Sequence, residues 1–317
     1  MRGLLGDIHR PVLVAEVLDN LRFVSEGGIF VDATLGFGGH AIAVLEHFPN
    51  STVVGIEIDD ETISLCRKRL APYGDRCRAI RGTYGDLGDL LSLAGIAAVD
   101  TILMDTGVSS FDIDTPERGF SFSLDGPLDM RYRQEFGLET AEAIINHENA
   151  SYLRRIMRDY GEVPFAGRIA SAICSRRVNS PIATTLQLVE VVRRAVGGRI
   201  GRMKLEGLLA QVFQAFRVAV NRELEVLEAG LRQGIDHLES GGRLLVICYE
   251  SLSHNLTKRV FREYERGCIC PKEVPVCVCG RSPKARILTR RAISPSAAEI
   301  ADNIRSRSAG MRIIERL

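Results

Sequence analysis

From Gly28 to Asp105 the apolar positions fall into two alternating rhythms. Short runs bounded by turn residues, Ile29–Val31, Val53–Ile58 and Val99-Asp-Thr-Ile-Leu-Met-Asp105, read as strands, and the last is apolar at nearly every position, as a strand covered on both faces must be. Arg76–Arg81 reads as a shorter strand. Between these runs, Ala41–Phe48 and a segment from Asp59 or Asp60 to Leu70 carry apolar residues at helical spacing. The second has Ile63, Leu65, Cys66 and Leu70 on one stripe and an aspartate placed to cap its first turn. Pro11–Leu21 is also helical in pattern, with its proline in the first turn. Strands and helices alternating through short links predict a parallel, doubly wound α/β sheet, Rossmann-like in type.

The rhythm breaks after Asp105. Thr106–Arg133 is rich in Gly, Pro, Ser and Asp, and Ala141–Ala195 is helical in pattern without a strand candidate. A long helix from about Leu208 to Leu238, a Gly241-Gly242 turn and the apolar run Arg243–Tyr249 then resume the first pattern. The chain therefore predicts a discontinuous sheet domain, residues 1–110 and 207–317, with an inserted helical domain at 111–206. No internal repeat or low-complexity tract interrupts it.

Composition refines the picture in two places. The net charge of +1 over 317 residues hides two basic stretches, with eleven Arg or Lys against three acids in Ser151–Lys204 and nine against three in Arg281–Leu317. Such clustering suits a polyanionic partner, although solvated helix faces would look the same. No apolar run is long enough to span a membrane, and Met1–Arg10 lacks the pattern of a secretory signal, so a cytoplasmic protein is expected. Cys66, Cys77, Cys174 and Cys248 fall singly within helix-like or strand-like patterns and read as reduced core residues.

The first strand runs into Asp32-Ala-Thr-Leu-Gly-Phe-Gly-Gly-His40, and the second ends at Glu57 about twenty residues beyond the first glycine. A glycine turn between strand and helix with a carboxylate on the next strand is how such sheets hold an adenosine-containing cofactor. NAD satisfies that pattern, and a hydride-transferring dehydrogenase is one reading. S-adenosylmethionine matches the charges better. It carries an ammonium and a sulfonium besides its ribose, and here Asp32, Glu57 and Asp105 surround the turn, where a pyrophosphate would meet a carboxylate at Asp32. Gly36 and His40 lie in the same turn, although His40 could simply cap or pack there.

His9-Arg-Pro-Val-Leu13, Asp32–His40, Asp105-Thr-Gly-Val-Ser-Ser110, Glu117-Arg-Gly-Phe-Ser-Phe122, Asp125-Gly-Pro-Leu-Asp-Met-Arg131, Tyr160-Gly-Glu162 with Phe165 and Arg168, Phe213-Gln-Ala-Phe-Arg217 and Arg305-Ser-Arg-Ser308 follow one another along the chain. In this order they resemble the bacterial small-subunit ribosomal RNA methyltransferase H family, also called MraW. The resemblance implies a class I methyltransferase that uses S-adenosylmethionine to methylate the N4 amine of a decoding-centre cytidine in 16S rRNA of the small ribosomal subunit, acting as a monomer or a homodimer. It implies cofactor contacts at Gly38, Gly39, His40, Glu57, Tyr84, Asp105 and Asp112, with Asp32 and Gly36 as further candidates. The turn Asp105 with Thr106–Ser109 would be the catalytic edge, its carboxylate or carbonyls accepting from the target amine. Glu57 stands where the family usually has Asp, and Asp112 where it often has Gln.

Two runs depart from the family further. Tyr249-Glu-Ser-Leu-Ser-His254 replaces a run that usually contains His and acids, and Glu206-Gly-Leu-Leu-Ala-Gln211 lacks a usual His-Pro-Ala segment. Cofactor binding reads as intact, while the substrate side has diverged, so a ribosome-assembly factor with weak or altered transfer is the alternative reading. Phe111, Phe120, Phe122 and Tyr249 are candidates for stacking on a flipped base, or for core packing. Arg154, Arg155, Arg158, Arg168, Arg176 and Arg177 are the candidate phosphate contacts, helped by the C-terminal basic segment. Last, Cys268-Ile-Cys270 and Cys277-Val-Cys279 permit a structural zinc held by four thiolates, or are reduced cysteines in an irregular loop. Similar cysteines occur in many relatives and are missing from others, so the chemistry does not require the metal.

Overall fold

The computed structural model describes residues 11–24, 26–133, 139–197, 202–266, 268, 270–271 and 274–317; His9 and Arg10 of the first expected motif lie outside them. The chain divides into two compact units, one made of residues 1–107 and 224–317 and the other of residues 108–223.

The first unit is built on a seven-stranded sheet. Its opening elements are α1 (Val14–Asn20), β1 (Ile29–Asp32), α2 (Gly39–His47), β2 (Thr52–Glu57), α3 (Asp60–Leu70), β3 (Cys77–Arg81), α4 (Leu87–Leu93) and β4 (Val99–Asp105). Asp59 caps α3 by accepting a hydrogen bond from the Thr62 N–H at 2.7 Å. The second unit contains α5 (Ser110–Asp114), α6 (Ala141–His147), α7 (Ala150–Gly161), α8 (Ala166–Arg177), α9 (Thr185–Val196) and α10 (Arg202–Asn221). The chain then completes the sheet unit with α11 (Glu223–Asp236), β5 (Leu238–Cys248), α12 (Ser251–Arg266), β6 (Ala285–Ile287), α13 (Ala297–Asp302) and β7 (Gly310–Arg316).

Strand order is β3-β2-β1-β4-β5-β7-β6. The five strands expected from the apolar runs pair in parallel, whereas β7 lies antiparallel to both β5 and β6. The sheet is therefore mixed. The C-terminal segment read as basic surface is in part this strand: Met311, Ile313 and Ile314 are buried, and Arg286 and Arg243 flank the nearly buried Glu315 at 2.7 and 3.0 Å. Alternation along β4 shows why it is apolar throughout. Ile102 and Met104 enter one core with Val54, Leu231 and Val246, while Leu103 enters the other with Phe30, Leu45 and Ile247. Fully burying each such side chain contributes about 1.5–3 kcal/mol.

The single helix expected over 208–238 is two. Arg222 takes a left-handed φ of 50°, and the Asn221 amide donates to the Met130 and Arg217 carbonyls at 2.7 and 2.9 Å, which closes α10 there. Val212, Phe213 and Phe216 of α10 belong to the core of the second unit with Leu153 and Met157 of α7. Leu227, Leu231 and Ile235 of α11 belong to the sheet. The boundary expected after residue 206 thus falls after Glu223, because apolar periodicity continues through the break and only packing separates the two helices.

Candidate active site

The carboxyl ends of β2, β1 and β4 lie side by side, and the chain leaves β1 in a tight turn. The Ala33 N–H donates to the Leu103 carbonyl at 2.9 Å, the Leu35 N–H to Ile56 at 2.9 Å, and the Gly38 N–H to Leu35 at 2.7 Å. Gly36 and Gly38 have φ of 50° and 79°, and a Cβ on Gly38 would stand 2.9 Å from the Cys66 sulfur. The turn therefore needs glycine for conformation and, at Gly38, for space. It delivers Gly39 and His40 to the first turn of α2, whose leading N–H groups have no partner within the helix.

Three carboxylates surround this turn. Asp32 is 1% exposed; its Oδ1 accepts from the Thr34 N–H at 3.3 Å, and its Oδ2 has no hydrogen-bond partner. Burial pushes its pKa up to about 6, with Asp105 adding to the rise while His40 and the nearby Thr34 and Ala41 N–H groups oppose it. Glu57 accepts from the Gly36 N–H at 2.8 Å on one oxygen and from the Ile58 and Asp59 N–H groups at 2.8 and 2.9 Å on the other. Burial still pushes it up to about 7. Its extra methylene lets it reach back to Gly36, so it ties the glycine turn to β2. Of roughly four acceptor positions on a carboxylate, these donors leave about one, on Oε2.

Asp105 is clamped at both ends. Its N–H donates to the Thr34 hydroxyl at 2.8 Å, and its Oδ1 accepts from the Tyr249 hydroxyl at 2.9 Å. Its Oδ2 lies 3.7 Å from His40 Nε2, within pairing range when the ring is protonated. Neither nitrogen of the buried His40 has a hydrogen-bond partner. Burial and the adjacent Asp105 raise the Tyr249 phenol far above its ordinary pKa, so it remains a donor. A Cβ on Gly107 would stand 3.4 Å from the Tyr249 ring. Tyr249, in the sequence a candidate for base stacking or for core packing, has its hydroxyl on Asp105. Thr34 was missed, although a hydroxyl two residues beyond a strand-end aspartate is a readable signal. Tyr84 begins a 3₁₀ turn at residues 84–86 and packs on the sheet core.

Other expected residues are committed elsewhere. Both Thr106 backbone and hydroxyl donate to the Ile247 carbonyl at 2.9 Å. Ser109 and Asp112 form a reciprocal capping box on α5, and the second Asp112 oxygen pairs with Arg118 at 2.8 Å. Arg154, Arg155, Arg158 and Arg168 are exposed on α7 and α8. Arg158 pairs with Asp159 at 2.7 Å, and Arg155 lies 4.9 Å from the Tyr152 ring centre. Arg176 and Arg177 are half-buried and donate to the Ser180 and Ile145 carbonyls, which spends them on structure. Phe120 stacks on Tyr132 at 5.4 Å, Phe122 meets Phe213 edge-on at 6.0 Å, and Phe111 lies under Arg118 at 5.7 Å. The sulfurs of Cys268, Cys270, Cys277 and Cys279 come together within 4.8 Å of one another.

The chain was compared with known proteins. It is 44% identical over 321 residues to the ribosomal RNA small subunit methyltransferase H of Pelobacter propionicus, covering 99% of this chain and 100% of that one. It is 45% identical over 311 residues to the protein of the same name from Solidesulfovibrio magneticus, covering 98% and 96%. Among solved structures, an rRNA methylase from Streptococcus thermophilus aligns over 98% of this chain and 99% of that one, at 10% identity and a TM-score of 0.40. The sequence pattern of the MraW methylase family matches residues 7–317, and the chain belongs to that family.

Proposed function

We propose that this methylase transfers a methyl group from S-adenosylmethionine to the exocyclic N4 amine of a decoding-centre cytidine in 16S rRNA of the small ribosomal subunit, in the cytoplasm. The observation that carries the reading is the pair of buried, under-partnered groups at the glycine turn, Asp32 Oδ2 and His40, beside an Asp105 oriented by Tyr249. A buried carboxylate oxygen without a donor calls for a cationic partner, and the ammonium of S-adenosylmethionine is one. The remaining acceptor position on Glu57 suits a ribose hydroxyl. Gly36, Gly38, Gly39 and His40 would lie along the cofactor, with Tyr84 beside it. Asp112, its carboxylate spent on Ser109 and Arg118, is read as ordering the start of α5.

The bound cofactor supplies a methyl group on cationic sulfur, a strong electrophile. The protein must therefore orient a weak nucleophile. The N4 lone pair of cytosine is delocalised into its ring, and a hydrogen bond from the amine to Asp105 draws it toward a tetrahedral, reactive geometry. The Tyr249 hydroxyl orients that carboxylate, and the Asp105 N–H bond to Thr34 fixes the backbone that carries it, which lowers the entropic cost of alignment. The methylated amine is cationic and loses its proton readily, so no dedicated base is required. A paired cytosine cannot present N4 in this way, and the base must be unstacked. Arg154, Arg155, Arg158 and Arg168 supply exposed positive charge for phosphates.

The test is to incubate the protein and labelled S-adenosylmethionine with 30S particles from cells lacking the enzyme. Label confined to N4 of one decoding-centre cytidine is the expected result. Cofactor binding without any transfer would overturn it in favour of an assembly factor, the reading favoured by the changed runs Tyr249–His254 and Glu206–Gln211.

A further inference from the structure

Outside the glycine-turn site, the densest cluster of ligating side chains among the described residues lies in the segment between Arg266, where α12 ends, and Lys284, just before β6. The segment leaves and returns at one place, because the Lys284 N–H donates to the Tyr264 carbonyl at 3.0 Å. Among its described residues there is no helix or strand. Two of its apolar residues, Val276 and Val278, face solvent at 72% and 81% exposure. They alternate with the exposed Cys277 and the half-buried Cys279, whose sulfurs meet those of Cys268 and Cys270. The four sulfurs are thus what gathers the described residues of this segment at one place.

We infer that Cys268, Cys270, Cys277 and Cys279 bind a single structural zinc ion. The separations carry the assignment. Cys268 and Cys277 are 3.6 Å apart at sulfur, Cys270 and Cys277 3.9 Å, Cys277 and Cys279 3.5 Å, and Cys268 and Cys279 3.8 Å, with all pairs inside 4.8 Å. A zinc–thiolate bond of about 2.3 Å in a regular tetrahedron sets a sulfur–sulfur edge of about 3.8 Å. The four thiols therefore occupy the corners that one ion requires, and they are too close together for a cluster of several irons. Binding deprotonates the thiols, so one zinc displaces up to four protons and forms a tetrathiolate of net charge −2. With four protein ligands no coordination position stays open, which makes the ion structural. Its place fits that role: β6 is three strands from β4, roughly 14 Å across the sheet at the usual strand spacing. The inference is independent of the methyl-transfer reading.

Full-length protein purified without chelators and analysed by mass spectrometry for metals should contain one zinc per chain. A mercurial thiol reagent should release that zinc to a chromogenic chelator as four thiols are consumed. The double variant Cys270→Ser/Cys277→Ser should lose it, while Cys174→Ser in the other unit keeps it. Because a variant could lose zinc by misfolding, wild-type protein stripped by chelator is also titrated with cobalt(II), and the intense visible bands of a tetrahedral thiolate centre should appear at one equivalent. Wild-type protein without zinc and without that cobalt spectrum would overturn the inference. So would iron at the site, two disulfides among the four cysteines, or full zinc retention by the double variant.

Discussion

Asp32→Asn gives the sharpest test of how the turn after β1 is built. In the folded protein the Asp32 carboxyl titrates at about 6, against an ordinary value of 3.8, chiefly because it is buried. Its protonated form is favoured by folding, so the stability it contributes is complete below about 3.8 and lost as pH rises through about 6. The shift of about two units at about 1.4 kcal/mol each corresponds to roughly 3 kcal/mol between pH 4 and pH 8. Asparagine keeps the shape and an acceptor for the Thr34 N–H but carries no charge to bury. Ligand-free Asp32→Asn should therefore match wild type only below about pH 3.8, lead it by about 1 kcal/mol at pH 4.5 and exceed it by up to about 3 kcal/mol at pH 8. Glu57, pushed up to about 7, tilts both proteins in the same direction and cancels in the difference. Thermal unfolding of both proteins from pH 4.5 to 8 measures the stability arm. Calorimetric titration with S-adenosylhomocysteine measures the other, where loss of the carboxylate should weaken binding at least tenfold. A variant less stable than wild type at pH 8 with unchanged cofactor affinity would refute the reasoning and leave Asp32 a purely structural acceptor.

Further expectations concern the same elements. Tyr249→Phe removes a hydrogen bond to a charged group, worth about 1.5–3 kcal/mol, so single-turnover methyl transfer should fall roughly 10- to 100-fold while cofactor affinity stays within about twofold; an unchanged rate would exclude the orienting role. Arg154→Ala with Arg155→Ala should make the dependence of log affinity for rRNA on log salt shallower by about 1.5, and the affinity loss should be largest at low salt. Equal loss at all salt concentrations would argue against phosphate contacts. Arg177→Ala should leave that slope alone and lower stability by about 1 kcal/mol, since its guanidinium serves the Ile145 carbonyl. Glu223→Ala removes the carboxylate from a largely buried pair with Arg217 at 2.8 Å, and denaturant unfolding should report a loss of about 3 kcal/mol.

Where local pattern and structure agree, the cause is local. Strands β1, β2 and β4 were readable because strands covered on both faces must be continuously apolar, and the acids Asp32, Glu57 and Asp105 were readable because they end those runs. Where they differ, the deciding contact spans the chain. Gly310–Arg316 pairs with β5 and β6 as an edge-side strand, yet its arginines dominate its appearance in isolation. Arg176 and Arg177 look like free charge until the carbonyls they serve are seen. The aromatic residues Phe120 and Phe122 look available for a base until Tyr132 and Phe213 are placed on them.

The amino-acid sequence alone determined the alternation of strands and helices, the glycine turn and the acids around it, since each follows from periodicity, backbone conformation or charge within a few residues. Tertiary structure alone decided that Tyr249 meets Asp105 across 144 residues, that the long helix breaks at Arg222, and that four cysteines converge on one point. These outcomes turn on which distant surfaces pack together, a competition among long-range contacts that no short window of sequence records.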